Sequence, residues 1–274
     1  MVSFNLLVAA GLLATAVSGA PAASYDATIS YDATASYDAS TAASSGKRGL
    51  AYNNAALLAP FASKRSSFSW AYNWASSVGG DLFGTEFVPM LWGRKTFNAW
   101  KAAADASLAA GSHHLLAFNE PDLPAQANMS PTEAAAAYQR YMNPYAGRAR
   151  LGSPAVTNGA SPYGLTWMGQ FFAACSGNCH VDFLVVHWYD GAEHASYFKK
   201  HIEAAVAFAR QHGISKIWIT EFQGTGSDAA QVAFLKDVLP WLDANDGVER
   251  YAYFMADRLV NGLSLSPVGQ AYSS

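Results

Sequence analysis

From Gly49 onward, short runs of β-branched and aromatic residues take turns with longer Ala-rich amphipathic stretches, and the exchange happens eight times. Strands are expected at residues 50–53, 68–73, 87–92, 114–120, 151–156, 181–189, 216–222 and 250–255. Between them, residues 96–110 carry no helix breaker. In 196–211, Phe198, Ile202, Ala205 and Ala209 recur at helical spacing, and Val232, Leu235, Leu239 and Leu242 do the same in 229–242. Ser130-Pro131-Thr132-Glu133 has the form of a capping box with proline at the first helical position. Strand and helix in alternation imply parallel pairing, with the strands covered on both faces. Eight such units predict an α/β fold, a compact (β/α)8 TIM barrel in a single domain. A doubly wound open sheet is the alternative, but Asn53-Asn54-Ala55 stands after the first strand where that fold puts a glycine-rich phosphate loop. The least helix-like connections are residues 75–83, which hold two glycines, and the short tail from Ser266.

Upstream of this pattern the chain changes character. Residues 1–20 pass through the apolar run LLVAAGLLATAV and end in small residues, which predicts a secretory signal peptide and an extracellular or cell-wall location. That run is well short of the ~20 residues that cross a bilayer, so no membrane anchor is expected. Residues 21–48 hold the repeat YDATIS, YDATAS, YDAS. It is too poor in large aliphatics to offset its ordering entropy, and a disordered leader or pro-segment is expected. Lys47-Arg48 at its end either marks a processing site, leaving a catalytic domain of residues 49–274, or opens the first strand. In an oxidising compartment Cys175 and Cys179 (CSGNC) are expected to form a local disulfide. Asn128-Met129-Ser130 is the one N-glycosylation sequon. With net charge −3 and 14% charged residues, no basic field exists to hold nucleic acid, and a monomer is expected.

Barrels of this kind carry their reactive groups at the C-terminal ends of strands. Two strands end in a glutamate there: residues 114–122 close on Asn119-Glu120-Pro121-Asp122, and residues 216–222 close on Thr220-Glu221-Phe222. A carboxylate at the end of an apolar strand is costly to bury alone, so it has either a partner or a task. Two of them meeting across one barrel mouth suit glycosidic cleavage, in which one acid protonates the leaving oxygen and one carboxylate stabilises or traps the sugar carbon. The plain alternative is that each pairs with an arginine or caps a helix. Ideal alternation would put Asn119 and Glu120 on opposite faces, so a twist or bulge is needed to bring both to one site.

Asn119-Glu120-Pro121 resembles the Asn-Glu-Pro signature on the fourth strand of clan A glycoside hydrolases, whose second glutamate sits on the seventh strand, where Glu221 is expected. Taken with KRGLAYN, FVPMLWG, LGSPAV, HWYD and YAYF, the chain from Arg48 to Met255 resembles glycoside hydrolase family 128, secreted β-1,3-glucanases of fungal type. The resemblance implies that Glu120 is the general acid/base, Glu221 the nucleophile, and Asn119 the contact to the sugar 2-hydroxyl. It also implies that Tyr189 hydrogen-bonds the nucleophile. Alternation independently puts His187 and Tyr189 on one face of the sixth strand and Trp188 on the other, toward the helices. His187 is then an orienting or substrate-binding residue, or a satisfied barrel histidine.

Trp74, Trp92 and Tyr253 lie near strand ends and are candidate sugar platforms, Trp74 and Trp92 foremost. Trp218 lies three residues before Glu221, hence on the opposite strand face, and is expected to be core. The expected activity is retaining endo-type hydrolysis of β-1,3-glucan, with the polysaccharide or its oligosaccharides as partner and no cofactor, because carboxylate chemistry needs none. Such a mechanism places the two carboxyl groups about 5 to 5.5 Å apart. The rival is a catalytically silent glucan-binding protein on the same barrel; a third reading changes the linkage cut.

Overall fold

A computed structural model describes residues 46–274. The expected signal peptide and the YDATxS repeats lie outside the described residues. Eight strands form one all-parallel sheet: β1 (Arg48–Ala51), β2 (Phe68–Tyr72), β3 (Glu86–Phe87), β4 (His114–Leu115), β5 (Arg150–Val156), β6 (Phe183–Gly191), β7 (Ile217–Thr225) and β8 (Val248–Tyr253). Hydrogen-bonded neighbours run β3-β2-β1-β8-β7-β6-β5-β4. The sheet curls round so that Met90, beyond β3, bridges Leu116, beyond β4, and the Leu91 N–H donates to the Leu116 carbonyl at 2.9 Å. Regular pairing on β3 and β4 is much shorter than the expected 87–92 and 114–120. Pro89 has no N–H for the ladder, and the chain after Leu116 is already turning toward the site.

The barrel is filled from inside by Ala51, Trp70, Tyr72, Val88, Met90, Leu116, Ala155, Phe183, Val185, Trp218 and Ala252. Size is matched across it: a Cβ on Gly49 would lie 2.2 Å from the Trp70 ring, and one on Gly152 would lie 2.8 Å from Phe183. Trp218 stacks on Phe183 with centroids 4.2 Å apart. It is core, as expected, yet it points into the same barrel as Glu221. The register of β7 against β8 shifts between Ile219 and Phe222, and that irregularity removes the face change which strict alternation would impose.

Helices α1 (Phe97–Ala109), α2 (Pro131–Tyr141), α3 (Gly164–Cys175), α4 (Ala195–Gln211) and α5 (Asp228–Ala244) cover the outside, followed by the short α6 (Ala256–Leu259) and α7 (Pro267–Tyr272). The expected stripe Phe198, Ile202, Ala205 and Ala209 of α4 is buried throughout. Of the α5 stripe, Leu235, Leu239 and Leu242 are buried. Ser130 caps α2 by accepting from the Glu133 N–H, but the Glu133 carboxylate pairs with Arg94 instead of closing the box. The connection after β1 is a 3-10 segment, Ala55–Ser67. After β2 no helix forms at 75–83: Asn73 accepts from the Ala75 N–H and donates to the Ser77 carbonyl, and Asp81 accepts from the Phe83 N–H. Such local side-chain bonds compete with a helix for the same backbone groups.

Residues just before Gly49 also contact the barrel. The Lys47 ammonium donates to the Leu242 and Asn245 carbonyls at the end of α5, and the Tyr251 N–H donates to the Lys47 carbonyl. Arg48 pairs with Asp243 at 2.9 Å and donates to the Tyr251 hydroxyl. Arg48 is the first residue of β1, directly after Lys47. At the N-terminal end of the barrel Glu86 is ion-paired with His114 at 2.9 Å and Arg250 at 2.8 Å. Burial works against the charge on Glu86, but His114, Arg250 and the His113 N–H together hold its carboxyl down at about 2.

Candidate active site

The C-terminal mouth of the barrel gathers side chains from β2, β4, β6 and β7. Beyond β4, the Asn119 N–H donates to the Trp92 carbonyl and the Glu120 N–H to the Ala155 carbonyl. Between these anchors the chain turns sharply, because Glu120 adopts a left-handed φ of +41°. A non-glycine residue held there costs on the order of 1–3 kcal/mol. This turn is the departure from alternation that lets both Asn119 and Glu120 serve one site. Asn119 Nδ2 donates to Gln126 at 3.3 Å, and its buried Oδ1 accepts from nothing among the described residues.

Glu120 and Glu221 are 6% and 5% exposed, so both carboxylates are sunk in the floor rather than fringing it. His187, wholly buried, stands between them. Its Nδ1 lies 2.9 Å from Glu120 Oε1 and 3.5 Å from Glu221 Oε2, and its Nε2 lies 2.8 Å from the Thr220 hydroxyl. Glu221 accepts two further bonds, from Trp74 Nε1 at 2.7 Å and from the Tyr189 hydroxyl. One oxygen from each glutamate and one nitrogen of His187 all lie within 4.8 Å of one another. The same trio has the atoms to ligate a cation. Its oxygens already accept from Trp74, Tyr189 and His187, donors that a cation would have to displace, so the arrangement is built for proton chemistry.

Burial raises the Glu221 carboxyl above the ordinary range; His187 opposes this, Glu120 adds to it, and Tyr189 and Trp74 oppose it. His187 is raised as well: burial alone would lower it, but the charges of Glu221 and Glu120 and the bond to Glu120 outweigh burial. A bare charge on Glu221 is thus disfavoured, and a proton on His187 favoured, by the burial and crowding of the cluster. Tyr189 is pushed well above the tyrosine range by burial and by Glu221, so its hydroxyl remains a donor.

The structure brings together Asn119, Glu120, His187, Tyr189, Glu221 and Trp74. Trp74 reaches Glu221 from the helix-free loop after β2, with a left-handed φ of +57°. One expected platform is corrected. Tyr253 is fully buried on the outer side of β8: its hydroxyl donates to Gln231 and its ring packs on Phe222 and Tyr272. Alternation with the inward Ala252 puts it there. Trp92 is half-buried against the inner cluster of the barrel, with the Lys95 ammonium 3.4 Å from its ring centroid. Phe254, missed in the sequence, is the half-buried ring at the mouth. It meets Trp74 edge-on at 5.7 Å and Tyr189 at 5.4 Å. The signal was the last letter of YAYF, one step of alternation past Tyr253. Thr220 and Asp122 were likewise passed over. Outside the mouth, Cys175 and Cys179 are joined in a disulfide at the end of α3, and Asn128 is exposed on the loop before α2.

Residues 49–272 match the family model described as glycosyl hydrolase catalytic core. Alkali-sensitive linkage protein 1 of Schizosaccharomyces pombe is 31% identical over 256 residues, covering 84% of this chain; the chain spans 45% of that relative's length. Among solved structures, a curdlan-specific exo-β-1,3-glucanase of GH128 subgroup III from Blastomyces gilchristii, in complex with glucose, is 57% identical, with a TM-score of 0.82, over 85% of this chain and 99% of that one. A subgroup II endo-β-1,3-glucanase from Sorangium cellulosum is 32% identical, with a TM-score of 0.70, over 83% of this chain and 98% of that one.

Proposed function

The chain belongs to glycoside hydrolase family 128 and is a glycoside hydrolase, and from this premise we propose that it cleaves β-1,3-glucan with retention at the anomeric carbon. Glu120 is the acid/base and Glu221 the nucleophile. The proximity of the two carboxylates carries the assignment: one oxygen of each lies within 4.8 Å of the other, whereas inverting enzymes set their carboxyl groups at least ~6.5 Å apart to seat a water. The different partners of the two glutamates assign the roles. Glu221 takes hydrogen bonds from Trp74 and Tyr189, which favour a carboxylate. Glu120 has His187 as its side-chain partner and faces Glu221 across it, and takes the acid/base role.

In the first step, Glu120 passes its proton to the glycosidic oxygen as Glu221 attacks the anomeric carbon. The bond to the leaving sugar breaks and an ester to Glu221 forms. In the second, Glu120, now a carboxylate, takes a proton from water, whose oxygen displaces Glu221. Asn119 Oδ1, a buried acceptor, suits a sugar hydroxyl beside the reacting bond, and Phe254 and Trp74 offer apolar surface to the sugar ring.

Release of short sugars from chain ends is the proposed mode, in place of the internal attack expected from the sequence. It is supported by the exo-acting relative at 57% identity, against an endo-acting one at 32%. Secretion, consistent with an insoluble wall polymer as substrate, remains part of the proposal. The test is product analysis on laminarin. Wild type is expected to release glucose or a short oligomer whose first-formed anomer is β, and Glu120→Gln and Glu221→Gln are expected to lose at least ~10³-fold in kcat. Binding without release by intact wild type would favour the silent glucan-binding protein; a first-formed α anomer would remove retention.

A further inference from the structure

A loop outside the reacting pair joins the neighbourhoods of the two glutamates. Asn158, two residues past the end of β5, uses its side-chain amide as a peptide group would in a sheet. Its Oδ1 accepts from the Tyr189 N–H at 3.2 Å, and its Nδ2 donates to the Tyr189 carbonyl at 3.2 Å. The β5–β6 ladder has stopped by then, and this side chain carries it one step further. Tyr189 is the residue whose hydroxyl donates to Glu221.

The loop bearing Asn158 is itself held by Asp122, two residues after Glu120. Asp122 accepts from the Thr157 N–H at 3.2 Å, the Thr157 hydroxyl at 2.7 Å and the Gly164 N–H at 2.9 Å. Gly164 has φ +56°, and a Cβ there would lie 2.5 Å from the Gly159 carbonyl oxygen, so the loop closes this tightly only on glycine.

We propose that Asn158 is a positioning residue: it sets the reach of the Tyr189 hydroxyl to Glu221, and Asp122 anchors the loop that carries it. The proposal rests on the assignment of Glu221 as nucleophile. Hydrogen bonds weaken steeply with displacement and misalignment, so freeing the Tyr189 main chain weakens the donor that holds Glu221 ionised. The titratable groups around Glu221 are Glu120, His187, Tyr189 and Tyr72, with Asp122 beyond His187. An Asn158 substitution by alanine alters none of these charges, so any shift in the pH profile reports position. Asn158 makes no contact with the reacting carboxylates, so its effect belongs to kcat rather than KM.

The test is a double-mutant cycle on a soluble laminari-oligosaccharide, with kcat, KM and the pH profile measured for wild type, Asn158→Ala, Tyr189→Phe, the double variant and Glu221→Gln. Asn158→Ala is expected to lower kcat about tenfold with KM within about twofold, and to move the acid limb to higher pH. In the Tyr189→Phe background the same change should cost less than about twofold, because both act through one hydrogen bond. If Asn158→Ala fails to fold, Asn158→Ser carries the same comparison. A full tenfold loss that persists in Tyr189→Phe, beside an inert Glu221→Gln, overturns the positioning role alone. Wild-type activity in Glu221→Gln removes the nucleophile assignment and this proposal with it.

Discussion

At the scale of single residues, burial sets the behaviour of Glu221. Glu221 is raised by burial and by Glu120, so its ionised form is penalised in the folded state. The stability linked to such a group is present below its unfolded value and is lost as pH rises through the folded one. Glu221→Gln is therefore expected to raise the melting temperature at pH 7 by a few degrees while abolishing turnover; a lowered melting temperature would mean that His187, Tyr189 and Trp74 more than offset the burial. Tyr189→Phe removes a donor from the ionised form, so the acid limb of its kcat/KM profile should move up in pH, with kcat down about 10- to 100-fold. An unmoved limb would show that the hydroxyl does not tune Glu221. The sequence pointed to the glutamates and His187 by their places on strands, and to Asn119 and Tyr189 by the family resemblance; the structure gathers all five at one mouth. Phe254 was not, since a tyrosine with a polar handle stood beside it and drew the assignment to Tyr253.

Among the elements, the strands with clean alternation were readable and the irregular ones were not. β6 shows Val185, His187 and Tyr189 inward and Trp188 outward against Phe198 and Phe234, as its period of two demands. The chain beyond β4, and β7, break that period at the two glutamates proposed as catalytic, through the left-handed Glu120 and the register shift before Phe222. Alternation therefore fails at the site because the site requires consecutive residues to point one way. The opposite end of the barrel obeys a different rule. Glu86, ion-paired with His114 and Arg250 and held at about 2, contributes stability that is complete above its unfolded value of 4.5 and is lost as pH falls toward about 2. Glu86→Gln would leave the Arg250 charge without its partner and is expected to cost about 3 kcal/mol at pH 7, with little effect on kcat. Urea unfolding at pH 7 and pH 3 checks both parts: the variant's deficit should shrink at the lower pH, and a deficit unchanged with pH would place the cost in packing.

For the molecule as a whole, the barrel depends on residues before Gly49. Lys47 caps the end of α5, and Arg48 ties β1 to Tyr251 and Asp243, so the first strand is also the seam that joins the start of the barrel to its last units. A chain cut after Arg48 should unfold at a melting temperature several degrees below that of a chain beginning upstream of Gly46, a shift that corresponds to about 2 kcal/mol for a domain of this size; equal melting temperatures would make the pair dispensable. Eightfold alternation was enough to place the barrel, because a parallel sheet covered by helices leaves few other closures. Position along that barrel then put the two glutamates at one mouth. The account stands on Glu221 becoming covalently bonded to the sugar, and a 2-fluoro laminaribiosyl fluoride, which slows the release of such an ester, tests this directly by mass spectrometry of the digested protein. The result expected is one added glycosyl mass on the peptide that contains Glu221, absent from Glu221→Gln; a label on Glu120, or inactivation without any adduct, would contradict it.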